Sequence, residues 1–437
     1  MQRWLAVGAL LVGACVVTTA TPAAGQGYAV YEQSACMTGR GGAGVASPCP
    51  DASAINYNPA GLSFDTVQVG LGGALVSPRA TYTAWDTSKE SLLNVRWYPV
   101  PNVFVSAPLG KRLAAGIGVF APYGLTTDWP STSIARFLGY KSLVQGVYVQ
   151  PTLSFKVNDR LSVGGGLDLT RLNLQLLQRL DLAEQAVPGT SLTFHQAGVP
   201  IGTDFAHVEV RGHAWSAGFH LGALLKATDR VSLGVRYLHG QQVGIDDATL
   251  ESSQIATGTR YDAALARLFV PGQKLANQAV KTSLPLPAQV VAGVAVQATP
   301  RLKLLLDYQW TNWSAFRVLA VDGETLDLAA VEDCRDTQAI RFGSEYELNH
   351  RVTFRAGFDG HGPATPIRSV TPNLPEGTRY ELSAGVSVQW SEKLGLDVGY
   401  LYMDGRPRPG RTTATGGNDG TYVFKAHIPT VMFRVQF

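Results

Sequence analysis

Three glycines raise the first question of chemistry. Gly39, Gly41 and Gly44 stand in the G-x-G-x-x-G spacing of a dinucleotide-binding loop, and Asp65 follows roughly 20 residues on, where such a fold places its ribose ligand. That fingerprint requires a strand immediately before it, and none is readable there. Close backbone packing is the better use of the glycines, because a residue without Cβ lets one chain segment lie directly against another. Other reactive patterns are lacking. The sequence has no Gly-x-Ser-x-Gly elbow, no His-Glu-x-x-His pair and no metal-spaced Cys or His cluster, and its eight histidines are scattered. No catalytic centre, metal or cofactor is expected, and an enzyme is the least favoured class.

The N-terminus reads as a secretory signal over residues 1–25. Arg3 precedes an apolar core from Trp4 to Val17, and Thr21-Pro22-Ala23-Ala24-Gly25 supplies small residues for cleavage. A lipoprotein site at Cys15 is the competing reading, disfavoured because the apolar core runs on past it. Export leaves Cys36, Cys49 and Cys334 in an oxidising compartment. Cys36 and Cys49 are close enough to form a local disulfide; three free buried thiols are the alternative.

Composition narrows the class. The chain has 437 residues, 45% of them hydrophobic and 16% charged, against about 25% charged in an ordinary soluble domain. No apolar run after the signal is long enough for a membrane helix. A closed β-barrel is the remaining spanning solution, since in lipid every backbone polar group must be paired within the protein. A net charge of +3 without a basic block gives no support for nucleic-acid binding.

From residue 65 onward the pattern has period two. Leu394, Leu396, Val398, Tyr400 and Tyr402 alternate with Gly395, Asp397 and Gly399. Val352, Phe354, Ala356 and Phe358 alternate with Thr353, Arg355, Gly357 and Asp359. Tyr308 and Trp310, Tyr346 and Trp390 fall at strand ends, as aromatic girdles require. Six short polar turns recur, each ending in Arg or Lys: 110–112, 158–160, 228–230, 299–301, 349–351 and 391–393. Six hairpins plus a strand at each end give an all-β, antiparallel transmembrane barrel of about 14 strands. The seventh strand is expected over 231–247, the eighth over 284–298 and the ninth over 302–317. Pro429 is expected to bulge the last strand, which closes the chain at an aromatic residue, Phe437.

Three stretches carry a family resemblance. Gly39 to Gly44 with Asp51-Ala-Ser-Ala-Ile-Asn-Tyr-Asn-Pro-Ala60, then Pro101 to Pro108, then Ala121-Pro-Tyr-Gly-Leu-Thr-Thr-Asp-Trp129, together resemble the FadL/TodX family of outer-membrane channels for hydrophobic compounds. The resemblance implies a monomeric barrel (65–437) plugged by an N-terminal hatch (26–64), with lateral exit of ligand beside a kinked third strand. Ser47-Pro48-Cys49-Pro50 departs from the family pattern.

The candidate site residues follow. Gly39, Gly41, Gly44, Asn58, Pro59 and Ala60 are assigned to the hatch, with Asn58-Pro59 a turn that anchors it at the periplasmic mouth. Pro122, Tyr123 and Gly124 interrupt the third strand; proline cannot donate to the ladder, so a bulge opening the wall is expected, the alternative being a loop that begins early. Leu172, Leu174 and Leu176 fall on the face opposite to Leu167 and Leu169, so above the lipid the fifth strand is expected to turn its apolar face inward, the alternative being an ordinary bulge that keeps the leucines outward. Leu265, Leu268 and Phe269 share one helical face, and with Phe194 they would complete an apolar capture groove at the rim; a helix packed on its own loop is the bland alternative. Lys303, Asp307, Arg236, Arg341, Arg355, Asp168, Glu381 and Asp397 face inward and must pair with one another or with the hatch. The function expected is passive outer-membrane uptake of hydrophobic small molecules, with ligand and outer-membrane lipid as partners. A hydrophilic diffusion porin or a structural, adhesive barrel is the alternative.

Overall fold

A computed structural model describes residues 27–187, 190–410 and 419–437; the signal assigned to 1–25 lies outside the described residues. Fourteen antiparallel strands close into one barrel: β1 (Gln68–Ala84), β2 (Tyr98–Pro108), β3 (Leu113–Asp128), β4 (Lys141–Lys156), β5 (Leu161–Asp181), β6 (Asp204–Lys226), β7 (Val231–Leu238 and Gln241–Gln254), β8 (Gln278–Leu286 and Gln289–Gln297), β9 (Leu302–Thr311), β10 (Thr337–Asn349), β11 (Val352–His361), β12 (Arg379–Gln389), β13 (Leu394–Gly405) and β14 (Gly420–Gln436). Closure is made by β1 against β14, from Gln68↔Gln436 to Ala84↔Gly420. Closure removes the sheet edges that lipid could not satisfy, except along the upper part of β2 and β3, whose pairing stops at Val103↔Val119.

Alternation sorts the wall into two faces. Leu167, Leu221, Leu306, Phe354 and Phe433 point outward and are exposed, while Asp168, Arg236, Asp307, Arg341 and Asp397 point inward and are buried. Tyr346 and Trp390 are exposed near the short turns, and Tyr308 and Tyr400 near the opposite rim. Higher in the lumen the inward face becomes apolar: Leu172 and Leu174 on β5, Leu401 and Met403 on β13, and Ala426 and Ile428 on β14 are buried.

Four strand expectations differ from the structure. Pro429 makes no bulge: the register Tyr400↔Pro429 continues that of its neighbours on β13, and pairing with β1 resumes unchanged from Thr430 to His427. The change from Ala426 and Ile428 to Val431 and Phe433 is therefore a change in lumen chemistry at constant parity. Strands β7 and β8 run longer than expected, and each is interrupted, at 239–240 and 287–288; Pro287 stands in the second break and Pro285 just before it. Strand β9 ends at Thr311, where a short helical turn (Trp313–Ala315) begins.

Residues 27–66 pack inside the barrel. They hold two short helices, α1 (Ala35–Gly39) and α2 (Ala54–Tyr57), and a 3-10 turn, Pro59–Gly61. Ser34 caps α1 by accepting from Met37 N, satisfying one of the donors a helix start leaves open. Helices of one turn are not stable alone, so the wall must hold this segment in shape.

Candidate functional site

The plug touches the wall through glycines on both sides. Gly41 has φ +62°, and a Cβ there would lie 2.8 Å from Phe358 N on β11; a Cβ on Gly39 would meet Gly385 Cα on β12 at 3.0 Å. Conversely, a Cβ on Gly164 or Gly222 of the wall would enter the space of Pro59. Gly44 packs against Met37 within the plug. The glycine spacing thus serves backbone contact, and its resemblance to a nucleotide loop is coincidental.

Asn58 ties the plug to the wall near the short-turn end. Its Nδ2 donates to Val45 O at 2.7 Å and to Ala223 O on β6 at 3.0 Å, while Oδ1 accepts from Ala60 N at 3.1 Å. Ser162 on β5 donates to Ala60 O at 2.7 Å. Cys36 and Cys49 are joined by a disulfide, and Arg40 Nη2 lies 3.0 Å from Cys49 Sγ. Cys334 is a buried free thiol outside the plug.

The inward charges are met by one another or by the plug. Asp307 Oδ2 accepts from Gly44 N at 2.7 Å and Val45 N at 2.9 Å. Glu345 gathers Arg355 (2.8 Å), Lys303 (3.2 Å) and Arg40 of the plug (3.7 Å). Arg341 meets Asp359 at 3.3 Å and lies 3.9 Å over the ring of Tyr31; Arg434 meets Asp397 at 2.9 Å. Arg236 donates to Asn56 Oδ1 at 3.3 Å and Gln289 Oε1 at 3.1 Å.

Two constellations join residues that lie far apart in the sequence. Asp168 Oδ1 lies 2.5 Å from His220 Nδ1, and His220 Nε2 lies 2.9 Å from Thr152 Oγ1. This is the order of an acid, imidazole and hydroxyl relay, but Thr152 is only 3% exposed and Gln150 also donates to Asp168. It reads as a lumen hydrogen-bond network. Asp359, His361 and Glu381 bring three ligand atoms within 4.8 Å of one another. Arg341 engages the first and His361 the last, so internal pairing accounts for the group. Only the i, i+2 spacing of Asp359 and His361 was visible in the sequence; Glu381 is brought opposite by the register Asp359↔Glu381.

The wall opens beside the third strand. Strand β2 pairs with β3 only from Val103↔Val119 down to Pro108↔Ala114. Above that, β3 shifts register against β4 between Phe120 and Tyr123, and the strand leaves β2. The gap closes again at the top, where Asn94 N donates to Asp128 O at 2.8 Å and Arg96 meets Asp128 at 3.2 Å. On one lip Pro99 and Pro101 carry no N–H, so they present no unpaired donor to lipid. On the other, the plug itself satisfies the kink: Val30 N donates to Pro122 O and Gly124 N donates to Tyr28 O, both at 2.8 Å. Tyr123 turns inward, fully buried, and donates to Pro287 O at 2.6 Å.

A cavity of about 460 Å³ lies at this window. The plug contributes Ala29, Val30 and Glu32, the lips contribute Pro99, Pro101, Ala121 and Gly124, and the far wall includes Met403 and Ile428. The seven apolar residues assigned to the rim do not line it. Leu172, Leu174, Phe194 and Leu265 are buried in one cluster, with Leu176, Leu268 and Phe269 packed on it part-buried. The rim helix is one α turn (Asp262–Leu265) followed by a 3-10 turn (Ala266–Phe269). The same cluster contains Phe120, Tyr123 and Val144 of the cavity wall, so rim and window are continuous through packed side chains.

Fold and site together define a plugged β-barrel with an opening in its side. Residues 14–437 match the family described as outer membrane protein transport protein (OMPP1/FadL/TodX). The chain belongs to this family of outer-membrane transport proteins. It is 24% identical to the long-chain fatty acid transport protein of Escherichia coli K12 over 98% of this chain and 97% of that one, and 22% identical to outer membrane protein P1 of Haemophilus influenzae over 91% and 90%. Among solved structures it is similar to a Pseudomonas aeruginosa FadL homologue (TM-score 0.80, 22% identity, 94% of this chain and 99% of that one). It is also similar to the Pseudomonas putida toluene transporter TodX (TM-score 0.70, 16% identity, 94% and 100%).

Proposed function

We propose that the protein is a passive channel for hydrophobic small molecules, long-chain fatty acids or related hydrocarbons, acting as a monomer without cofactor or catalysis. The observation that carries this reading is the cavity at the window, whose lining joins plug residues to both lips of the gap. A ligand is captured at the extracellular side, where the packed cluster of Phe194, Leu265, Leu268 and Phe269 with Leu172, Leu174 and Leu176 must part to let it reach the cavity. It leaves sideways between Pro101 and Ala121 into the membrane, so its apolar surface never crosses water. Plug and window move together, because the hydrogen bonds from residues 28–30 end on Pro122 and Gly124. A shift of the hatch therefore frees the kink.

The names of the relatives, transporters of fatty acids and of toluene, support the ligand class. A hydrophilic porin needs an open polar bore, whereas this lumen is occupied by buried residues from Tyr28 to Leu62. The test is uptake of a labelled long-chain fatty acid and of toluene by cells with and without the protein, alongside single-channel recording. Uptake with a closed ionic state is expected; a large steady ionic conductance without hydrophobic uptake would favour the porin.

A further inference from the structure

We infer that the window cavity passes uncharged molecules, and that Glu381, with Glu32 beside it, turns carboxylate anions away. The inference rests on the reading above that this cavity is the transport route. Three charged residues reach its lining: Glu32 from the plug, and Arg379 and Glu381 from β12. Arg379 alone could attract an anion, and it is already engaged. Its Nη2 lies 3.8 Å from Oε1 of buried Glu376 and 3.4 Å from Gly27 O, its Nη1 lies 3.6 Å from Met403 Sδ, and its guanidinium stands 5.6 Å over the Phe424 ring.

The neighbouring cations are similarly held. Arg341 is taken by Asp359, Arg408 donates to Thr365 O, and Arg236, which is not among the lining residues, is held by Asn56 and Gln289. The lining therefore holds two carboxyl groups, Glu32, which accepts from Tyr31 N at 3.0 Å, and Glu381, which lies 3.2 Å from His361 Nε2, and one arginine whose charge is matched by Glu376. Burial, and then the nearby Glu381, push the Glu32 carboxyl up to about 8, which fits a site already carrying as much negative charge as it can hold. A carboxylate brought here would be desolvated beside like charge. A hydrocarbon, an alcohol or an undissociated acid meets no such barrier.

The test uses the purified full chain in lipid vesicles, with radiolabelled dodecanol and dodecanoate as probes at neutral pH, and protein-free vesicles as background. Dodecanol is expected to bind at least about tenfold more tightly than dodecanoate. In Glu381→Gln the dodecanoate-to-dodecanol affinity ratio is expected to rise about tenfold, folding being checked by heat-modifiable migration; in Arg379→Gln the ratio should not fall. Dodecanoate binding as tightly as dodecanol in the unaltered protein, or lost in Arg379→Gln alone, overturns the inference and leaves the transport reading standing. Neither probe binding or crossing overturns the transport reading and the inference with it.

Discussion

Asp307, on β9, accepts the backbone N–H of Gly44 at 2.7 Å across 263 residues of chain, and that of Val45 through the same oxygen. A wall carboxylate thus holds the plug by its main chain, where no plug side chain can substitute. In Asp307→Ala both amides lose their acceptor, at a cost of about 1–3 kcal/mol if they stay buried. Planar-bilayer recordings should show more frequent ionic openings than in the unaltered protein, and unchanged recordings would mean the plug is held elsewhere.

Ala121 lines the cavity at the kinked lip. Ala121→Trp should fill the window and lower hydrophobic uptake at least about tenfold, comparable to losing 1.4 kcal/mol or more of passage, while the barrel still folds by heat-modifiable migration. Normal uptake with a filled window would place the exit elsewhere.

The disulfide closes a loop with sequence separation 13, worth about 3 kcal/mol by chain entropy. Replacing Cys36 and Cys49 together with serine should make residues 27–66 sensitive to protease added from the periplasmic side, with the barrel protected. Equal resistance with and without the bridge would make wall contacts the sole restraint.

Glu32 supplies a pH dependence with a defined sign. Its folded carboxyl ionises at about 8, against an ordinary 4.5, chiefly through burial. The folded state therefore binds more protons between these values, so the contribution is full below 4.5 and is lost as pH rises through 8. Midpoints of thermal unfolding should fall across this window in the unaltered protein and fall less in Glu32→Gln. Parallel curves for the two proteins would remove Glu32 as the source.

Parity explains what was legible in the sequence. One side of each strand meets lipid and the other meets a charged lumen, so Leu306 and Asp307 sort themselves on adjacent positions, and turns ending in Arg or Lys mark the hairpins. Parity also sets Leu172 and Leu174 apart from Leu167 and Leu169, but the choice between an inward turn and a bulge needs the unbroken register of β5 against β6. What resisted reading depends on partners distant in sequence. Tyr98-Pro99-Val100-Pro101 looks like any proline-bearing edge until β3 is known to leave it. Glu381 faces Asp359 only through register, and the plug's hold on Pro122 depends on Tyr28 and Val30 folding back across the lumen. At Pro429 the sequence suggests a bulge, whereas the ladder to β1 merely lapses at Ile428 and Pro429 without losing register.

Pro99 and Pro101 have a consequence for life in a crowded membrane. A lip with exposed N–H groups would recruit a strand from any neighbouring barrel, and two such windows could zip together. A lip that lacks donors at alternate positions offers a visiting strand half a ladder. Such an edge is a poor template for sheet extension by a neighbouring copy.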